Sequence, residues 1–279
     1  MTATFGARLH RAMRQHGPLC AGIDPHRSLV ESWGLTYDLA GLERFAMTCV
    51  EAFAGRVAAV KPQSAFFEVF GSRGVAVLER VLTELRDAGT LTILDVKRGD
   101  IGTTMAAYAH AFLGADAPAP ADAITVSPFL GYESLRPAVD QAVENGRGLF
   151  VLALTSNPEG ASVQHAVHGG RSVAASIVEG ATVDNALARE RGELGSIGLV
   201  IGATVGSAVT DLGLDLVTAA TPILAPGLGA QGGSAGDLAT VFGPAREQVL
   251  DSSSREILGA GPDATRLTDQ ALRVAESLR

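Results

Sequence analysis

The segment Leu94-Asp95-Val96-Lys97-Arg98-Gly99-Asp100 sets one ammonium group between two carboxylates. On an extended strand, Asp95 and Lys97 are two residues apart and point the same way. Asp100 follows on the loop beyond. Opposite charges on both sides favour the ammonium form of Lys97. An ammonium is a poor Schiff-base nucleophile, since that chemistry needs the free amine. It is a good proton donor and a good partner for developing negative charge. It also fills the place between two acids that a divalent cation would take. Lys61 closes another apolar run and extends the set to an alternating array, Lys61–Asp95–Lys97–Asp100. The competing reading is a structural ion-pair network. The position of these charges at the ends of otherwise apolar runs favours chemistry.

A second group of residues suits an anion. Pro226-Gly227-Leu228-Gly229-Ala230-Gln231-Gly232-Gly233 is a glycine-rich loop, and Arg255 follows the next apolar run. Glycines let backbone N–H groups approach a phosphate, Gln231 can donate from its amide, and Arg255 can bind in a bidentate fork. A helix starting near Arg255 would add its N-terminus. Asp24 and Thr155-Ser156-Asn157 end two further apolar runs. The histidines at 10, 16, 26, 110, 165 and 168 have no metal-ligand spacing. No G-x-S-x-G elbow is present, and Ser252–Ser254 reads as strand-end packing rather than a nucleophile.

These side chains need a scaffold that gathers strand ends. Apolar runs recur at Leu19–Asp24, Val57–Pro62, Leu91–Lys97, Ala123–Pro128, Gly148–Asn157, Ile197–Thr204, Pro222–Gly227 and Glu247–Ser253. Most are apolar throughout, as expected for parallel strands buried on both faces. Helical spacing lies between them. Leu39, Leu42, Ala46, Cys49 and Phe53 form one face, with Asp38 as N-cap and Gly55 as the stop. Val75, Leu78, Leu82 and Leu85 form another, ended by Gly89. A third helix is expected from Ser172 to about Arg191. Arg8, Arg11 and Arg14 fit a leading amphipathic helix. The widest interval follows Asn157. Eight βα units, with no linker or composition shift, predict one (β/α)₈ barrel over residues 1–279. A doubly wound sheet is the alternative, but no G-x-G-x-x-G follows the first run.

Composition sets the limits. The chain has 279 residues, 47% of them hydrophobic, and 22 Lys plus Arg against 30 Asp plus Glu give a net charge of −8. That balance argues against nucleic acid and against an anionic membrane surface as partners. An anionic ligand would need a local cationic pocket. Cys20 and Cys49 read as buried, reduced thiols of a cytoplasmic protein.

These motifs, in this order, resemble the orotidine 5′-phosphate decarboxylase family, in its longer bacterial, mycobacterial-like form. The resemblance runs along nearly the whole chain. Its most specific element is Asp95-x-Lys97-x-x-Asp100-Ile101-x-x-Thr104; the 226–233 loop and Thr155-Ser156-Asn157 narrow it. The resemblance implies cofactor-free, metal-free decarboxylation of orotidine 5′-phosphate to UMP in pyrimidine biosynthesis. It implies that Lys97 protonates C6, that Asp95 crowds the substrate carboxylate, and that Lys61 and Asp24 hold the ribose hydroxyls. Ser156 would bind the pyrimidine, Gln231 and Arg255 would bind the phosphate, and Pro226 would also contact the substrate. Asp100, Ile101 and Thr104 would be shared across a homodimer. Two features depart from the family pattern. Ser254 precedes Arg255 where many members have glycine, and the long segment after Asn157 lacks a counterpart in shorter forms. Related sugar-phosphate barrels that use Mg²⁺ would need another acid at a strand end, and Lys61 stands there instead.

Overall fold

The computed structural model describes residues 3–227 and 235–279. Eight parallel strands close into a barrel: β1 (Leu19–Ile23), β2 (Ala59–Pro62), β3 (Leu91–Arg98), β4 (Ala123–Val126), β5 (Gly148–Leu154), β6 (Ile197–Ile201), β7 (Ile223–Pro226) and β8 (Val249–Ser253). Neighbours in sequence are neighbours in the barrel, and β8 pairs with β1 through Leu19 and Asp251. Each strand falls on one of the apolar runs. The last residues of the runs after β5 and β6 are not strand, because the chain turns at the barrel rim there. Glu247 and Gln248 belong to a 3₁₀ turn, Gly243–Gln248.

The helices form the outer layer. Asp38 caps the helix Leu39–Phe53 by accepting from the Gly41 N–H at 2.8 Å. Gly89 follows the helix Gly71–Asp87 at φ 72°, a value that glycine tolerates best. In that helix Val75 is exposed, since the inward face runs through Gly74, Val77, Leu78, Val81, Leu82 and Leu85. Ser172 caps Val173–Asp184. The continuous helix expected to Arg191 is broken at Asn185, and a second piece runs Ala186–Glu190. The buried Asn185 amide donates to Ile197 O at 2.8 Å and its oxygen accepts from the Ile197 N–H at 3.1 Å. Satisfying that side chain against β6 fixes the break. The helix expected from Arg255 is a single turn, Arg255–Leu258, followed by Ala264–Ser277.

Strand alternation divides the core into two. Outward residues such as Leu19, Ala21, Ile23, Leu149 and Ile197 pack against the helices. Inward residues Cys20, Ala59, Leu91, Ile93, Ala123, Phe150, Val200, Leu224 and Leu250 fill the barrel. The helix Phe5–His16 plugs its lower end with Phe5, Leu9 and Met13, a stripe spaced by four. Phe5 meets Phe150 edge to face at 6.0 Å. Gly148 permits this, since a Cβ there would lie 2.2 Å from the Phe5 ring. Cys20 and Cys49 are both buried and free, and burial pushes the Cys20 thiol up to about 12. Among the described residues, no helix is long and apolar enough to cross a membrane.

Candidate active site

The same alternation that sends Cys20, Ala59 and Ile93 into the barrel sends Lys61, Asp95 and Lys97 to its upper end. They meet in a cavity of about 340 Å³. Asp95 is the centre. Lys61 Nζ lies 3.0 Å from its Oδ2, and Lys97 Nζ lies 2.5 Å from its Oδ1. Thr125 on β4 donates to Oδ1 at 2.7 Å. Burial raises the Asp95 carboxyl, but Lys61 and Lys97 outweigh it and hold the group at about 2. Burial likewise works against the Lys61 ammonium, and the Asp24 and Asp95 carboxylates more than offset it, so that amine lies above its usual range. Asp95 and Lys61 are therefore both ionised at neutral pH. Lys61 is buried, whereas the Lys97 side chain is 46% exposed and opens to the cavity. Lys97 adopts φ 44°, an uncommon value for a residue other than glycine. It sits where the β3–β4 register shifts between Leu94 and Arg98.

Asp100 does not join this array within the chain. Among the described residues no ion pair links it to Lys97, and its Oδ1 accepts from the Ile101 N–H at 2.8 Å. The expected four-member array thus has three members here. Ile101 is 61% exposed and Thr104 is also exposed, so both stand on the rim outside the cavity lining.

Asp24 lines the cavity beside Lys61. Its Oδ2 accepts from Ser254 at 2.6 Å, while its Oδ1 is buried with no protein hydrogen-bond partner. That oxygen is available to a ligand hydroxyl. Ser252–Ser254 is therefore more than packing: Ser252 and Ser254 both line the cavity. Gly22 belongs to the same corner, since a Cβ on it would come within 2.5 Å of the Ser254 Cβ. Pro226, Gly227 and the exposed Arg255 form the adjoining rim, with Pro226 paired to Ser252. Gln231 lies outside the described residues, as does the rest of the loop 228–234.

Leu152, Val200 and Leu224 give the cavity an apolar wall. Ser156 is exposed beside Thr155, which lines the cavity. The long segment after Asn157 reaches back to this point. It contains a short helix, Ala161–Gln164, and a two-stranded ribbon of Val167–His168 and Arg171–Ser172. Gln164 Oε1 accepts from the Thr155 N–H at 2.8 Å, and Gln164 Nε2 donates to the Thr155 hydroxyl at 2.7 Å. Spacing alone does not single out Thr125, Ser254 or Gln164. Thr125 could have been found by strand parity, being two residues after the inward Ala123. A plain count carries another signal: the chain has two lysines, Lys61 and Lys97, and both are here.

An eight-stranded parallel barrel with its charged groups at the carboxyl ends of the strands defines a (β/α)₈-barrel enzyme. The comparisons narrow that class. The model of the orotidine 5′-phosphate decarboxylase / HUMPS family matches residues 17–268, and the chain belongs to that family. An orotidine 5′-phosphate decarboxylase of Streptomyces coelicolor is 59% identical over 279 residues, covering 99% of this chain and 97% of the relative. That of Salinispora arenicola is 57% identical over 277 residues, with the same coverage. A crystal structure of a Streptomyces avermitilis protein superposes with a TM-score of 0.94 at 57% identity, covering 100% of this chain and 95% of that one. The Leishmania donovani OMP decarboxylase superposes with a TM-score of 0.74 at 27% identity, covering 99% and 98%.

Proposed function

We propose that this chain decarboxylates orotidine 5′-phosphate to UMP and CO₂, without cofactor or metal, in pyrimidine biosynthesis. The observation that carries the reading is the Lys61–Asp95–Lys97 trio at the base of the cavity. Loss of CO₂ leaves a carbanion at C6. A fixed ammonium beside that carbon stabilises it without reorganisation and then delivers the proton. Lys97 takes this role, because it is the lysine open to the cavity. Asp95, ionised and immobilised, is placed to repel the substrate carboxylate in the ground state. The apolar wall of Leu152, Val200 and Leu224 suits the neutral CO₂ that departs.

Asp24 and Lys61 take the ribose hydroxyls, with Asp24 Oδ1 as the open acceptor. Ser156 serves the pyrimidine, Gln231 and Arg255 the phosphate, and Pro226 also contacts the substrate. Phosphate contacts far from C6 supply binding energy that orients the reacting carbon, so a substrate lacking phosphate loses kcat as well as affinity. The Mg²⁺-dependent sugar-phosphate chemistry found among related barrels is disfavoured because Lys61 occupies the position between Asp24 and Asp95.

Activity requires a homodimer in this reading. Asp100, Ile101 and Thr104 would complete the partner's site. Exposed apolar side chains after β3 and β4, namely Ile101, Tyr108, Phe129 and Leu130, support an interface there. We place the enzyme in the cytoplasm. The test is direct: the purified protein in EDTA should bleach the absorbance of orotidine 5′-phosphate, and Lys97→Ala should abolish this. A requirement for Mg²⁺, or full activity in Lys97→Ala, would overturn the reading.

A further inference from the structure

We infer that Thr125 is a positioning residue that sets the geometry of both Lys97 and Asp95; the inference rests on the decarboxylase reading above. Thr125 is 1% exposed and points into the barrel from β4. Its hydroxyl makes two contacts. It accepts from the Lys97 backbone N–H at 3.0 Å, and it donates to Asp95 Oδ1 at 2.7 Å. Asp95 is ionised and can only accept, so the single hydroxyl proton must point to it.

Both contacts fall where the backbone is unusual. The β3–β4 register shifts between Leu94 and Arg98, and within that interval Lys97 stands at φ 44°. A left-handed backbone at a lysine persists only when its surroundings over-determine it. The Lys97 N–H takes the Thr125 hydroxyl in place of a strand carbonyl, which anchors the strained residue to β4. The same oxygen then fixes the rotation of Asp95, whose Oδ1 also receives Lys97 Nζ at 2.5 Å. One hydroxyl thus ties the backbone and the side chain of the ammonium-bearing residue to the carboxylate between the two lysines.

Thr125→Val removes the hydroxyl and keeps the shape; Thr125→Ser restores it. A small misplacement of reacting groups lowers turnover far more than binding. In Thr125→Val, kcat should fall by about 10- to 100-fold while KM stays within about threefold, and Thr125→Ser should stay within about threefold of wild type on both. A merely structural threonine would lower the melting temperature without this split and without rescue by serine.

A second readout does not depend on turnover. Because the chain has two lysines, selective isotope labelling of lysine gives a spectrum in which Lys97 is assigned by its absence in Lys97→Ala. The Lys97 side-chain resonance should move in Thr125→Val and return in Thr125→Ser. Thr125→Ala stands in if the valine variant does not fold. A folded Thr125→Val with wild-type kcat and an unmoved Lys97 resonance would overturn the inference. If the wild type fails to decarboxylate orotidine 5′-phosphate, the proposed activity falls, and the lysine spectra alone decide the role of Thr125.

Discussion

Ser254 donates its hydroxyl proton to Asp24 Oδ2 at 2.6 Å, tying the residue after β8 to the residue after β1. The tie crosses the seam where the barrel closes, and it holds one Asp24 oxygen while leaving the other for ligand. Ser254→Ala should loosen Asp24 and raise KM for orotidine 5′-phosphate by about 5- to 10-fold, the scale of one partly exposed hydrogen bond to a charged group. Steady-state kinetics check this; an unchanged KM would mean that Asp24 needs no side-chain support.

Asp251 is the buried acid of β8, and it faces away from the mouth. Arg246 reaches its Oδ2 at 2.9 Å and also donates to Leu278 O at 2.8 Å, linking β8 to the C-terminal helix. Burial pushes the Asp251 carboxyl up to about 7, further than Arg246 pulls it down. The folded chain therefore holds a proton there between about pH 4 and 7, where the unfolded chain has released it. Stability from this group is present below the unfolded value and falls as pH rises through that window. Asp251→Asn removes the titration, so its stability relative to wild type should rise by on the order of 3 kcal/mol between about pH 4 and 8. Urea melts of both proteins across that range test it, and a constant difference would contradict the assignment.

Phe5 tests the plug. It is fully buried against Phe150 at the end of the barrel opposite the cavity. Phe5→Ala should cost about 3–5 kcal/mol of stability, the range for truncating a buried phenylalanine. KM should not change at temperatures where the variant remains folded. Denaturant melts and kinetics together separate the two effects.

The proposed shared-site dimer is open to complementation. Asp100→Ala and Lys97→Ala chains should each be inactive alone. Mixed and allowed to exchange, they should form hybrids with one intact site, recovering about a quarter of wild-type sites at equal input. No recovery despite exchange, followed by mass spectrometry of isotopically labelled chains, would place Asp100 in its own subunit's site.

Much of the fold is legible in the chain because parallel barrel strands are buried on both faces and so stand out as apolar runs. The Asp95–Lys97 pair is legible for the same reason, since two-residue spacing on a strand can only place both on one side. Asp100 is where that logic stops. It lies past the strand, where parity no longer fixes direction, and its carboxylate turns to the Ile101 N–H. Thr125 and Ser254 act through hydrogen bonds to residues 30 and 230 positions away. No local pattern encodes such pairings. The break at Asn185 is similar: helical spacing continues through it, and only the distant edge of β6 gives the side chain a reason to interrupt the helix.

The two lysines have a consequence beyond the reaction. Every other basic side chain apart from histidine is an arginine, so the outer surface offers guanidinium groups but no ε-amine. Lys61 is sealed within the barrel mouth, and Lys97 is partly open. Acylating or aldehyde reagents, amine-coupled supports and amine-directed cross-linkers therefore find one side-chain amine open to them on the folded chain, Lys97. Conjugation there stops up the mouth of the barrel, and bound substrate should shield it.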